Sequence, residues 1–258
     1  MTDSSLPAAE KLESEWKRLW LIDPNITFLN HGSFGACPIA VLEKQQELRY
    51  RLEREPLRFM EDQLEDLLDA SRKALADFVG ALPSELAFIP NATTGINTVL
   101  RSLSFQPGDE LLTTNHEYNA SRNALDFVAE QSGAKVVVAE LPFPIASPDQ
   151  VVAAVMAKIS DRTRLVLVDH VTSQTALVLP IEALVQQLKP FEIELLVDAA
   201  HAPGMLPINL QKLGVAYYTG NCHKWLCAPK GAAFLYVRSD KQSLIRPLVI
   251  SHGANSPR

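Results

Sequence analysis

Glu194-Leu195-Leu196-Val197-Asp198-Ala199-Ala200-His201-Ala202-Pro203-Gly204 decides how the rest of the chain is read. An apolar run of strand length ends on a carboxylate and breaks into a Pro-Gly loop. Open α/β sheets bind ligands beyond the carboxyl ends of their strands, so Asp198 is a candidate ligand-facing acid. Downstream, Tyr217-Tyr218-Thr219-Gly220-Asn221-Cys222-His223-Lys224-Trp225 lies between a short apolar run and a second strand-like run, Ala232 to Val237. A lone lysine is ordinarily a solvated surface charge. The interval from Asp198 to Lys224, however, has room for one crossover and one more strand.

Upstream, Asn91-Ala92-Thr93-Thr94-Gly95-Ile96-Asn97 follows the apolar run Leu86 to Ile89 and opens a helical pattern through Leu103. Hydroxyls and free backbone N–H groups at a helix start bind phosphate. A lysine, a carboxylate and a phosphate cradle together match pyridoxal 5'-phosphate: Lys224 forms a Schiff base, Asp198 holds the pyridine nitrogen protonated, and the helix start takes the phosphate. Thr93 is the expected phosphate hydroxyl, supported by the N–H groups of Ala92 and Thr93. Thr94 is equally well a helix cap. Asn221 and His223, flanking the lysine, are expected to add phosphate donors from the opposite side.

Working outward, apolar runs of strand length at 86–89, 110–113, 135–139, 164–169 and 193–197 alternate with helical patterns at 94–103, 118–131, 148–159 and 181–188. Such alternation predicts an α/β fold, a mostly parallel sheet sandwiched by helices. Ser147, Pro148 and Gln150 form a capping-box pattern for the helix at 148–159. Before the first strand, Leu42 to Leu52 and Leu57 to Val79 give two amphipathic helices, interrupted at Pro56 and closed by Gly80. Thr27 to Asn30 is expected to be a short strand entering the Gly32-Ser33-Phe34-Gly35 loop, and Pro38 starts a helix. Residues 1–24 read as an N-terminal arm helix, with Leu12, Trp16, Leu19 and Trp20 near helical spacing.

Of the 258 residues 47% are hydrophobic and 21% charged, a balance that is ordinary for a globular protein with one sizeable core and argues against disorder. A net charge of −6 argues against general nucleic-acid or anionic-membrane binding, which needs a basic surface. No stretch approaches the roughly 20 apolar residues that span a bilayer, and the polar start has no apolar leader core, so a cytoplasmic protein is expected. The three cysteines are odd in number and unpaired in spacing, so neither a disulfide framework nor a metal site is expected.

Leu29-Asn30-His31-Gly32-Ser33-Phe34-Gly35-Ala36-Cys37-Pro38, the Ala92 to Asn97 segment, His116-Glu117-Tyr118-Asn119-Ala120, Asp198-Ala199-Ala200-His201 and His223-Lys224 resemble, in order and spacing, the class V aminotransferases of fold type I, and most closely the isopenicillin N epimerase-like branch. The resemblance covers about Asn25 to Gly253. It implies that residues 25–258 form the cofactor-binding large domain, ending before a smaller C-terminal domain that in the family carries the substrate-carboxylate arginine. A truncated form is therefore expected, with Arg246 and Arg258 as the nearby cations. It also implies that Tyr118 stacks on the pyridine ring, that His201 and Ser173 lie near the cofactor's phenolic oxygen, that the Gly-Ser-Phe-Gly loop lines the substrate-carboxylate pocket, and that the protein is a homodimer acting on an amino acid. Tyr118 and Ser173 replace the histidine and asparagine of cysteine desulfurases. The implied activity is epimerase-like or aminotransferase-like chemistry at the α-carbon. The alternatives are C–S lyase or desulfurase-like elimination and a catalytically silent cofactor-binding fragment.

Overall fold

The computed structural model describes residues 15–255. Its described residues contain seven strands: β1 (Leu86–Ile89), β2 (Glu110–Thr114), β3 (Lys135–Ala139), β4 (Thr163–Asp169), β5 (Glu194–Asp198), β6 (Tyr217–Asn221) and β7 (Ala233–Val237). They form one sheet in the order β1-β7-β6-β5-β4-β2-β3. From β3 through β6 every pairing is parallel, while β7 runs antiparallel to both β6 and β1. The sheet is therefore mostly parallel, as the alternation of strands and helices implies.

Helices cover both faces. In chain order they are α1 (His31–Phe34), α2 (Ile39–Arg54), α3 (Pro56–Arg58), α4 (Leu64–Val79), α5 (Ala92–Ser102), α6 (Asn119–Ser132), α7 (Pro148–Met156), α8 (Ile181–Leu188) and α9 (Leu210–Leu213). Successive strand residues point to opposite faces, and the core divides accordingly. Leu111, Leu165, Leu167, Leu196 and Tyr217 pack with Ile96 and Val99 of α5 and Leu125 and Val128 of α6. Leu112, Val166, Val168, Val197 and Tyr218 pack with Leu75 and Val79 of α4, Val151 and Val155 of α7, and Leu184 and Leu188 of α8. With both faces buried, the central strands are unbroken apolar runs rather than alternating ones.

Gly80 closes α4 in the left-handed conformation at φ 64°, where a side chain would be strained. The break at Pro56 is real, and a π-helical turn, Phe59–Gln63, joins the short α3 to α4. Two expectations fail locally. Thr27 to Asn30 forms no strand, because Asn30 instead caps α1, its Oδ1 accepting the Ser33 N–H at 3.0 Å. Ser147 makes no side-chain cap bond to α7, and Gln150 Oε1 accepts the N–H of Ala146 at 2.8 Å rather than that of Ser147. Of the expected N-terminal arm helix, Glu15–Leu19 is a 3₁₀ turn and the part before residue 15 lies outside the described residues. No helix among the described residues is long and apolar enough to cross a membrane.

Candidate active site

The chain order of the sheet reverses around β2, which has β3 on one side and β4 on the other. Ligand crevices open beyond the carboxyl ends of strands at such a reversal. Asp198 is the last residue of β5 and pairs in register with Asp169, the last residue of β4. Asp198 is oriented by two donors: its Oδ2 accepts Ser121 Oγ–H from the first turn of α6 at 2.6 Å, and its Oδ1 accepts the Ala200 N–H at 3.0 Å. Burial raises its carboxyl above the usual range, while those two bonds and the Lys224 charge oppose the shift.

Lys224 follows β6 in a turn fixed at both ends, with Ala228 N–H donating to Cys222 O and Cys222 N–H donating to Ala232 O. Burial holds its amine below the ordinary lysine range, opposed by Asp198 and Asp169. Nζ lies 3.2 Å from His201 Nε2 and 6.0 Å from the centroid of the Tyr118 ring. His201 also accepts the Trp225 indole N–H at Nδ1, at 3.3 Å. Burial, and then the Lys224 charge, lower the His201 ring to about 4, so it is neutral near neutral pH.

These groups meet at a cavity of about 310 Å³, at the low end of the range for small-molecule sites. One wall is Asn91, Ala92 and Thr93 at the start of α5, and another is Asn221, His223 and Lys224. Tyr118, Ser173, Asp198 and Ala200 line it as well, and Gly32, Ser33 and Phe34 of α1 close it. Every expected site residue lines this space except His201, which reaches it through Lys224. A larger cavity of about 890 Å³ lies at the opposite end of the strands, but its main cations are already matched, Arg238 Nη2 to Glu194 at 2.8 Å and Lys241 to Glu194 at 2.6 Å.

Two details correct the expected phosphate donors. The Ala92 N–H is not free, because Asn221 Oδ1 accepts it at 2.8 Å, which ties the start of α5 to the end of β6. His223 donates Nδ1–H to Ala232 O at 2.9 Å, so its Nε2 can donate only when the ring is protonated. Thr94 belongs to the cap, its N–H and hydroxyl both donating to Asn91 Oδ1. Arg246 is turned to backbone carbonyls of Ser243 and Ile245, and Arg258 lies outside the described residues.

Sequence reasoning passed over Ser121, Trp225, Glu117 and Asp169. The signal for Asp169 was present, since Val168-Asp169 repeats the pattern of an apolar strand closing on an aspartate. Glu117 sits inside a motif already noted.

The donor set fits pyridoxal 5'-phosphate: a desolvated amine, a carboxylate fixed by two donors, an exposed aromatic face at Tyr118, and a helix start with Thr93 beside it. Sheet, crossovers and site together define the large-domain architecture of the fold type I pyridoxal-phosphate class. The family model for aminotransferase class-V matches residues 36–255, and the chain belongs to that family. It is 38% identical to an isopenicillin N epimerase of Amycolatopsis lactamdurans over 90% of this chain and 59% of that protein. It is 31% identical to a probable chloroplastic L-cysteine desulfhydrase of Arabidopsis thaliana over 93% of this chain and 53% of that one. A lysine-to-alanine variant of C-DES with glycine covalently linked to its PLP cofactor superimposes with a TM-score of 0.80 at 27% identity, covering 88% of this chain and 60% of that one. The chain thus spans somewhat more than half the length of the curated relatives it matches.

Proposed function

We propose that the chain holds pyridoxal 5'-phosphate through Lys224 and serves an enzyme acting at the α-carbon of an amino acid, in an epimerase-like or aminotransferase-like way. The observation that carries this is the placement of one desolvated amine, Lys224, in the wall of a cavity whose other walls are Asp198, Tyr118 and the start of α5. When bound, the cofactor supplies an electron sink for the charge left on the α-carbon after proton loss.

The chain's own groups do the rest. Asp198 pairs with the ring nitrogen and keeps a proton there. Tyr118 covers a ring face. Thr93, Asn221 and His223 take the phosphate, with His223 binding a proton as it does so. Ser173 and His201 bear on the phenolic oxygen. Lys224 would be the base that removes the α-proton, with return of a proton from the opposite face giving epimerisation. The proposed setting is a cytoplasmic homodimer, supported by exposed apolar side chains such as Leu29 and Phe34 beside the site.

A second reading, C–S bond elimination from cysteine or a related sulfur amino acid, is favoured by the desulfhydrase relatives and by the likeness to C-DES, a cystine C–S lyase. Borohydride reduction in the presence of pyridoxal phosphate, followed by peptide mapping, is expected to label Lys224 and to leave K224A unlabelled. Exchange of the α-hydrogen with deuterated solvent across a panel of amino acids then identifies the substrate. Sulfide release from cysteine selects elimination, and labelling without any exchange selects a silent cofactor-binding form.

A further inference from the structure

Three carboxyl side chains, Glu117, Asp169 and the pocket-lining Asp198, converge at one edge of the pocket. Asp169 and Asp198 close neighbouring parallel strands in register. Glu117 follows β2, on the other side of β4. One oxygen from each lies within 4.8 Å of the others, and their exposures are 6% for Glu117 and 2% for both aspartates.

Donors are too few for three anions. Asp198 has Ser121 and Ala200. Glu117 Oε2 has the Thr113 hydroxyl at 3.3 Å, the backbone N–H of Tyr118 bears on both Glu117 and Asp169, and Asp169 also has its own backbone N–H. Glu117 Oε1 and Asp169 Oδ2 are buried without a partner among the described residues. The cation bearing on the two aspartates is Lys224. His170, beside Asp169, is bonded to the Tyr218 hydroxyl at 2.8 Å and is held neutral by burial, with its ring lowered to about 4. The Tyr218 phenol, which faces Asp198, stays protonated because burial pushes it well above its ordinary range. One ammonium cannot offset three buried carboxylates, and an acid in that position neutralises instead.

We propose that Glu117 and Asp169 are neutral carboxylic acids whose O–H groups are shared within the cluster, so that a single negative charge is confined to Asp198 at the edge of the pocket. The acid O–H supplies the donors that the cluster lacks and gives the two orphaned oxygens a role. Burial, reinforced by the neighbouring carboxyls, pushes both Glu117 and Asp169 well above the usual carboxylate range. Both are positioning residues. They hold the Tyr118 turn through its backbone N–H, and an O–H donated to Asp198 makes that carboxylate a weaker base. A proton shared between Asp198 and a ring nitrogen then sits on the nitrogen. Only this last consequence rests on the cofactor reading; the protonation state belongs to the protein without any ligand.

Infrared spectra of the cofactor-free chain, labelled with carboxyl-¹³C aspartate or glutamate, test the protonation directly. At neutral pH each label is expected to shift one acid C=O band, the glutamate band disappearing in E117Q and the aspartate band in D169N. The labelled wild type decides the matter even where a variant fails to fold. Absence of an acid band at neutral pH overturns the proposal, as does loss of the bands on adding calcium or magnesium alone, which would make the cluster a cation site. Because the folded state holds these protons, the wild type loses stability as pH rises above the ordinary carboxyl range, and E117Q and D169N lose about one proton's worth of that dependence each. An unchanged slope in folded variants also overturns it. Lys224 labelling is scored separately, so acid bands without a Lys224 adduct sink the cofactor reading and leave this one standing.

Discussion

The indole N–H of Trp225 donates to Nδ1 of His201 at 3.3 Å, and this bond fixes which ring nitrogen carries the proton. Indole is a donor only, so Nδ1 must offer its lone pair and the proton of the neutral ring sits on Nε2. That Nε2–H points at Lys224 Nζ, 3.2 Å away, and an amine accepts only in its free-base form. Trp225 therefore favours the nucleophilic state of the lysine from one residue away. In W225F the His201 tautomers are expected to mix, visible in long-range ¹⁵N–¹H NMR spectra. Aldehyde affinity should fall by roughly five-fold, about 1 kcal/mol for one bond. An unaltered His201 tautomer in W225F would refute the link.

Ser121 acts on the same pocket through Asp198. S121A removes the 2.6 Å donor from a buried carboxylate oxygen, leaving Asp198 Oδ2 unsatisfied. The expected loss is about 1–3 kcal/mol, read from urea unfolding. S121T, which keeps a hydroxyl, should recover most of it.

His170 makes stability depend on pH in a defined direction. Its folded-state value is about 4 against an ordinary 6.5, so the unfolded chain takes up a proton that the folded one refuses. Its contribution is complete above about pH 6.5 and disappears as pH falls toward 4, by at most about 3 kcal/mol. His201 is lowered in the same window, although solvent reaching its ring reduces its share. H170Q should flatten the acid limb of the stability curve, measured by thermal unfolding between pH 4 and 7.

Gly35 is irreplaceable for a steric rather than a conformational reason. Its φ of −60° suits any residue, but an added Cβ would lie 2.5 Å from Lys224 O and 2.6 Å from His223 O. Backbone atoms in a bonded turn do not yield easily, and overpacking of this kind costs about 1–3 kcal/mol. G35A is expected to displace the lysine turn and slow formation of the Lys224 adduct, while the far-ultraviolet circular dichroism stays native.

The sequence announces Lys224, Asp198, Thr93 and Tyr118 because each stands where a strand or helix changes direction, and such positions carry chemistry. It does not announce how β7 and β1 run, since fully buried apolar segments look the same in either direction. Thr27 to Asn30 has the composition of a strand, yet it pairs with none of the described strands and Asn30 caps a helix instead. Glu117 and Asp169 each look ordinary alone. Their meeting depends on the register of strands distant in the chain, which no local pattern encodes. The same holds for Asn221 taking the Ala92 N–H, a contact between opposite walls of the pocket.

Among the described residues β1 is the earliest strand, and its partner in the sheet is β7, the latest of them. Until Val237 has emerged from the ribosome, β1 has no strand to pair with, although α5, which springs from it, already has its seat on α6, β5 and β6. A nascent chain stopped after β6 would therefore leave β1 hanging as a loose ribbon, while α5 is already held by Asn221 and by the strands it packs on.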